Sequence, residues 1–334
     1  MKIRFLWSLA ALVTATAFSA TAADLPSRKA PVMAPPPLSI WTGFHVGLNV
    51  GGSWGAGGAT NISTWPTVLT NTGRNPALAE SNYRNSLYNW ALPSALGVTN
   101  SLSPNSSGFI GGGQIGYDWQ VGFAGSSFVA GVEADIQGIA SSGNTATGTR
   151  ITAVGSTAIT SSSGAPITTV TSVSKNLDYI GTVRGRVGYL ATPNLMIYGT
   201  GGLAYGGARV SSSTWSYAPT ISPSSDLTYA WGSSGSSSNT QVGWTAGGGA
   251  EWMFMPNLSL KAEYLYYDLG TASYNQGLSG AYVTANSQPP GDYSAGQLWW
   301  GNLSQVTTRF NGNIVRAGIN YHMNFNPVPV VTKY

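Results

Sequence analysis

The sequence predicts an all-β fold, a closed antiparallel eight-stranded transmembrane β-barrel, and three observations predict it. Charged residues make up 8% of the chain while aromatics reach 11%, against about 25% charged residues in ordinary soluble domains. After the first twenty-odd residues, no stretch approaches the roughly 20 apolar residues that a membrane helix needs. Apolar and polar side chains instead alternate through eight segments of ten or so residues. In lipid every backbone polar group must find its partner within the chain, so without spanning helices a closed sheet remains.

The elements follow in order. Met1-Lys2-Ile3-Arg4 is a short basic start, Phe5 to Phe18 is apolar, and Ala20-Thr21-Ala22-Ala23 supplies small residues. That order is a secretory signal peptide, assigned to residues 1–22 with the cut after Ala22 or Ala23. Without Lys2 and Arg4 the 15 basic residues become 13 against 11 acidic ones, so the formal charge falls from +4 to +2. No Lys/Arg cluster exists for nucleic acid to grip. Residues 23–40 hold five prolines (Pro26, Pro31 and Pro35-Pro36-Pro37) and are expected to be an extended periplasmic linker, since proline donates no backbone hydrogen bond. Arg28 and Lys29 make contact with peptidoglycan or lipid headgroups one reading of this linker; a plain spacer is the favoured one. There are no cysteines, which excludes a lipoprotein anchor, a thiolate metal site and disulfides together.

The barrel is expected over residues 41–334. In its first strand Phe44, Val46, Leu48 and Val50 oppose His45, Gly47 and Asn49. The second sets Ile115, Tyr117 and Trp119 against Gln114 and Asp118, and the third sets Val132, Ala134 and Ile136 against Glu133 and Asp135. The fourth places Leu177, Tyr179, Val183 and Val187 outward and Asp178, Arg184 and Arg186 inward; the fifth, 195–206, is too glycine-rich to fix its register. The sixth sets Trp244 and Trp252 against Glu251, the seventh Leu260 and Tyr264 against Lys261 and Glu263, and the eighth, 315–325, Ile319 and Tyr321 against Arg316 and His322. Eleven residues at 3.3 Å each, tilted near 40°, climb roughly 28 Å, enough for the apolar band of such barrels. Short turns fall near 121–127, 191–194 and 255–257. Long polar loops are expected at 55–107, 139–175, 207–240 and 269–308, the first with room for a helix or an extra hairpin. That alternation puts the turns in the periplasm and the loops outside.

All ten ionisable residues of these strands, Asp118, Glu133, Asp135, Asp178, Arg184, Arg186, Glu251, Lys261, Glu263 and Arg316, share the parity of the polar face. A basic side chain facing lipid at mid-membrane costs about 2–4 kcal/mol, so the apolar face must meet the lipid and the charges the lumen. Eight strands enclose a space just wide enough for side chains, and buried ions need partners. The ten are therefore expected to form a structural ion-pair network. A lipocalin-like soluble barrel would invert this arrangement and crowd Trp119, Trp244 and Trp252 into the lumen.

Several blocks resemble a known group: Ala23-Asp24-Leu25-Pro26, Trp41 to Gly47, Gly181 to Tyr189, Thr200 to Gly206 and Lys261 to Gly270. Together they are similar to the small outer-membrane surface proteins of alphaproteobacteria, the 25/31-kilodalton immunogenic group often called the porin family. The resemblance implies an eight-stranded barrel related to the OmpA membrane domain, placed in the cell outer membrane, surface-exposed and serving envelope integrity, with no catalytic residues. Arg316 to Met323 resembles the sorting signal read by the barrel-assembly machinery, although the chain runs on from Asn326 to Tyr334.

Little else suggests chemistry. Gly111 to Gly116 fits G-x-G-x-x-G, but a dinucleotide fingerprint needs a helix after it, and here an alternating segment continues to Trp119. His45 and His322 point inward near the periplasmic ends of the first and last strands; no third metal ligand is evident, and a lipid-modifying site would lie near the other leaflet. The expected function is structural and non-enzymatic, without cofactor or metal, with lipids and lipopolysaccharide as surroundings. Two alternatives stand beside it: a small diffusion pore, and surface capture of a ligand such as haem by Tyr293, Trp299 and Trp300.

Overall fold

The computed structural model describes residues 40–68, 91–123, 126–141, 144–152, 166–218, 229–282 and 298–323. The expected signal peptide, the linker up to residue 39 and the tail after Met323 lie outside them. No described helix is long and apolar enough to cross a membrane. The elements are β1 (Gly43–Gly55), β2 (Thr60–Val68), α1 (Leu92–Val98), β3 (Asn100–Leu102), β4 (Ser107–Phe123), β5 (Ser126–Ser141), β6 (Asn144–Thr152), β7 (Ile167–Thr192), β8 (Leu195–Ala218), β9 (Tyr229–Met255), β10 (Leu258–Tyr282) and β11 (Leu298–Met323).

Eight antiparallel strands form the ring β1-β4-β5-β7-β8-β9-β10-β11. It closes where β1 meets β11, in continuous register from Phe44 opposite Met323 to Gly55 opposite Gly312. The outward side chains are the expected apolar ones: Leu48, Ile115, Val132, Val187, Trp244, Leu260 and Ile319 are all exposed. The glycine-rich fifth segment takes its register on β8, with Ile197 and Leu203 outward and Met196, Tyr198 and Ala204 inward. Gly112 lies in the middle of β4, and a Cβ there would come within 2.0 Å of the Ile136 carbonyl oxygen. The glycine run thus serves tight interior curvature.

The strands outrun the membrane. Much of the polar sequence expected as loops is sheet: β8 reaches Ala218, β9 begins at Tyr229, β10 reaches Tyr282 and β11 begins at Leu298. Above the lipid, β2 adds to β11, β3 to β2, and β6 to β7. From Leu177 to Ile167, ten residues of β7 climb about 25 Å at the usual rise and tilt. Here Arg209, Ser211 and Ser213 face outward, so water, and not acyl chains, surrounds the wall. The short helix α1 sits in the expected loop 55–107, with Pro93 near its start and Ser94, Ala95 and Val98 buried against the wall. Gly97 permits that contact, because a Cβ there would lie 2.7 Å from Thr169 Oγ1.

Candidate functional site: the barrel interior

The interior is layered. At the periplasmic mouth Trp41, two residues before β1, is fully buried with Val129, Leu190, Met196, Tyr198 and Met253, and its indole N–H donates to the Pro193 carbonyl at 2.9 Å.

Next comes the ionic layer. Arg184 donates to Glu263 (2.9 Å), Glu133 (2.5 Å) and Asp135 (2.9 Å). Arg186 reaches Asp118 through Nε (2.8 Å) and Nη2, and Glu251 through Nη1 (2.9 Å). Lys261 holds both oxygens of Glu133 at 2.7 and 2.8 Å, while Arg316 joins Glu263 (2.8 Å) to Asp135 (2.9 Å). Each of these nine charged side chains is at most 5% exposed. Neutral donors fill the remaining carboxylate positions: Thr182 on Asp135 (2.8 Å), Tyr198 on Glu263 (3.0 Å) and Asn320 on Glu251 (2.7 Å). Period-two alternation puts these groups on one face, and the antiparallel ladder puts Glu133 directly opposite Arg184 and Glu263 opposite Arg316.

Asp178 is the exception. It lies on the outer wall, about half exposed, 3.3 Å from Arg209. Between Leu177 and Ile180 the β7–β8 register shifts, and such a bulge reverses which parity faces inward. Leu177, expected outward, is consequently buried. Above the bulge Lys175 also turns inward, donating to the Arg309 carbonyl at 2.5 Å and lying over the Phe310 ring at 4.8 Å. Alternation alone gives no sign of it.

Toward the outside the ions give way to an apolar layer in which Ile110, Ile180, Leu265, Tyr267, Phe310 and Ile314 are at most 3% exposed. Beyond it stand hydroxyl pairs, Thr169 with Ser216 and Thr60 with Thr308, both at 2.8 Å. The Trp231 indole donates to Ser94 of α1 at 3.0 Å, tying the helix to the wall. Tyr293, one of the aromatics considered for ligand capture, lies outside the described residues.

His45 and His322 are cross-strand partners, both buried, with ring centroids 5.5 Å apart. A carboxylate stands beside them, which strand alternation did not reveal: Asp118 Oδ2 is 3.3 Å from His45 Nδ1. Ser259, His322 and Glu251 have the residue types of a hydrolytic triad, but Ser259 Oγ (2.9 Å) and Glu251 Oε1 (3.2 Å) address the same nitrogen, Nε2. A triad needs the serine and the acid on opposite ring nitrogens.

A family model, the outer membrane protein beta-barrel domain, matches residues 9–298. The chain belongs to this family. The 31 kDa outer-membrane immunogenic protein of Brucella melitensis is 33% identical over 272 residues, which cover 81% of this chain and 88% of that one. The 22 kDa outer membrane protein of Rhizobium leguminosarum is 31% identical over 175 residues, 50% of this chain and 59% of its own. Among solved structures, the outer membrane protein OprG from Pseudomonas aeruginosa aligns at 10% identity with a TM-score of 0.34, covering 84% of this chain and 97% of that one. The chain is an outer-membrane β-barrel protein, as its family and its named relatives are.

Proposed function

We propose that the chain is a closed structural barrel, a non-enzymatic wall element that contributes to envelope integrity and carries a rigid sheet above the membrane toward lipopolysaccharide and external partners. The observation that carries this reading is the apolar layer across the lumen, stacked on an ion network whose members are already paired. A pore needs a continuous hydrated path, whereas Ile180, Leu265, Phe310 and Ile314, each at most 3% exposed, fill the lumen around the few polar groups at their level, Ser53 and Gln137. The Brucella relative's name, an immunogenic outer-membrane protein, fits a chain displayed at the surface.

Planar-bilayer recording of the purified protein tests the reading. The expected result is a silent bilayer; stable stepwise conductance overturns it in favour of a small diffusion pore. Deletion of the gene is expected to sensitise cells to detergents and large antibiotics.

A further inference from the structure

We propose that the periplasmic mouth of the barrel holds a divalent transition-metal ion of the zinc class, bound by His45, Asp118 and His322. Ligand atoms of these three residues lie within 4.8 Å of one another. Three atoms so placed all lie within about 2.8 Å of some common point, so bonds of about 2.0–2.2 Å require inward movements of at most roughly 0.7 Å per side chain. Two imidazoles and one carboxylate form a ligand set that zinc uses with a fourth position left to solvent.

Independent features point to the same place. His45 is fully buried, yet neither ring nitrogen makes a hydrogen bond of acceptable geometry. Buried polar atoms without such a partner are rare and call for a cause. The space is cut to fit: a Cβ on Gly116 would lie 2.5 Å from His45 Nε2, and one on Gly131 would lie 2.0 Å from Asp118 Oδ1.

The outer shell is present as well. A ligating histidine ordinarily offers its second nitrogen to a carboxylate or similar acceptor. His45 Nε2 faces Glu133 Oε2 at 3.5 Å, and His322 Nε2 meets Glu251 and Ser259. That leaves His45 Nδ1 and His322 Nδ1 for the ion, with Asp118 contributing a carboxylate that it shares with Arg186. Within the ionic layer five carboxylates (Asp118, Glu133, Asp135, Glu251, Glu263) face four cations (Arg184, Arg186, Lys261, Arg316), so one carboxylate charge is left for the ion to meet. Trp41 closes the site from the periplasm, its ring edge-on to His322 at 5.7 Å.

The test uses the untagged chain refolded in detergent, loaded with Co²⁺, desalted, and examined by visible absorption and elemental analysis. One ion per chain with a d–d band is expected. His45→Gln and His322→Gln are each expected to weaken binding by more than about 100-fold, beyond the 10–100-fold cost of losing an outer-shell partner, whereas Ser259→Ala falls within that smaller range. Folding of each variant is judged by the shift in gel mobility on heating. No retained metal, or equal retention in both histidine variants, overturns the proposal and leaves a proton on His45 as the fifth positive charge. Should both variants fail to fold, Cu²⁺ electron paramagnetic resonance on the unaltered chain decides: two nitrogen donors support the site, and one or none overturns it.

Discussion

Replacing Arg186 with leucine removes a single cation from a sealed space. Its guanidinium is the partner of Asp118 through two nitrogens and of Glu251 at 2.9 Å, and it lies 3.4 Å from Glu133. Among the described residues Asp118 then keeps only His45 as a charged or hydrogen-bonding side-chain partner, and Glu251 keeps Ser259, Asn320 and His322. Breaking a buried pair by deleting one partner costs about 3–5 kcal/mol, mostly as the penalty of the abandoned charge. The expected loss for Arg186→Leu is therefore about 3–5 kcal/mol, read from urea unfolding in lipid vesicles by tryptophan fluorescence. Adding Glu251→Gln is expected to restore at least about half of it, because one stranded charge disappears. A loss below about 1 kcal/mol, the range of solvent-screened pairs, would refute the reasoning: water would then reach the layer, and the closed-lumen reading would fall with it.

Other consequences can be measured on the same footing. Asp178→Asn breaks only the half-exposed pair with Arg209 and is expected to cost under about 1 kcal/mol, so a large effect would contradict its outward position. Lys175 lies on the extracellular extension of β7, where burial pushes its ammonium down to about 8, below the unfolded value of about 10.4. The unfolded chain therefore holds the extra proton between those two pH values, so stability rises with pH through that window and the full cost is present below pH 8. Lys175→Met is expected to stabilise the barrel by up to about 3 kcal/mol at pH 7, a gain that fades by about pH 10; destabilisation at pH 7 would contradict it. Gly112→Val sets a branched side chain against the Ile136 carbonyl and is expected to abolish the folded, heat-modifiable band on a gel.

Alternation made the membrane-spanning strands legible because lipid and lumen differ so sharply: Val183 and Val187 meet one, Arg184 and Arg186 the other. Above the membrane that contrast vanishes. On β7 and β8, Thr169, Thr171, Ser212 and Thr214 face inward while Ser211 and Ser213 face outward, so a sheet with two polar faces reads as loop. The bulge at Asp178 and Tyr179 was hidden because Leu177 and Tyr179 keep an apolar rhythm across it, and one unseen register shift misplaced Asp178 and concealed Lys175. The approach of His45 to His322 was readable from their matching places at the two ends of the chain. Asp118 was not, because it depends on the missing side chains of Gly116 and Gly131.

The pairing of β1 with β11 joins Phe44 to Met323, nearly 280 positions apart in the chain. Until the final strand arrives, the nascent sheet has two raw borders of unpaired amides, each able to recruit a stranger. A truncation that removes β11 is therefore expected to leave an adhesive fragment in place of a smaller working barrel, and closing this long-range seam carries the largest loop-closure cost of the fold.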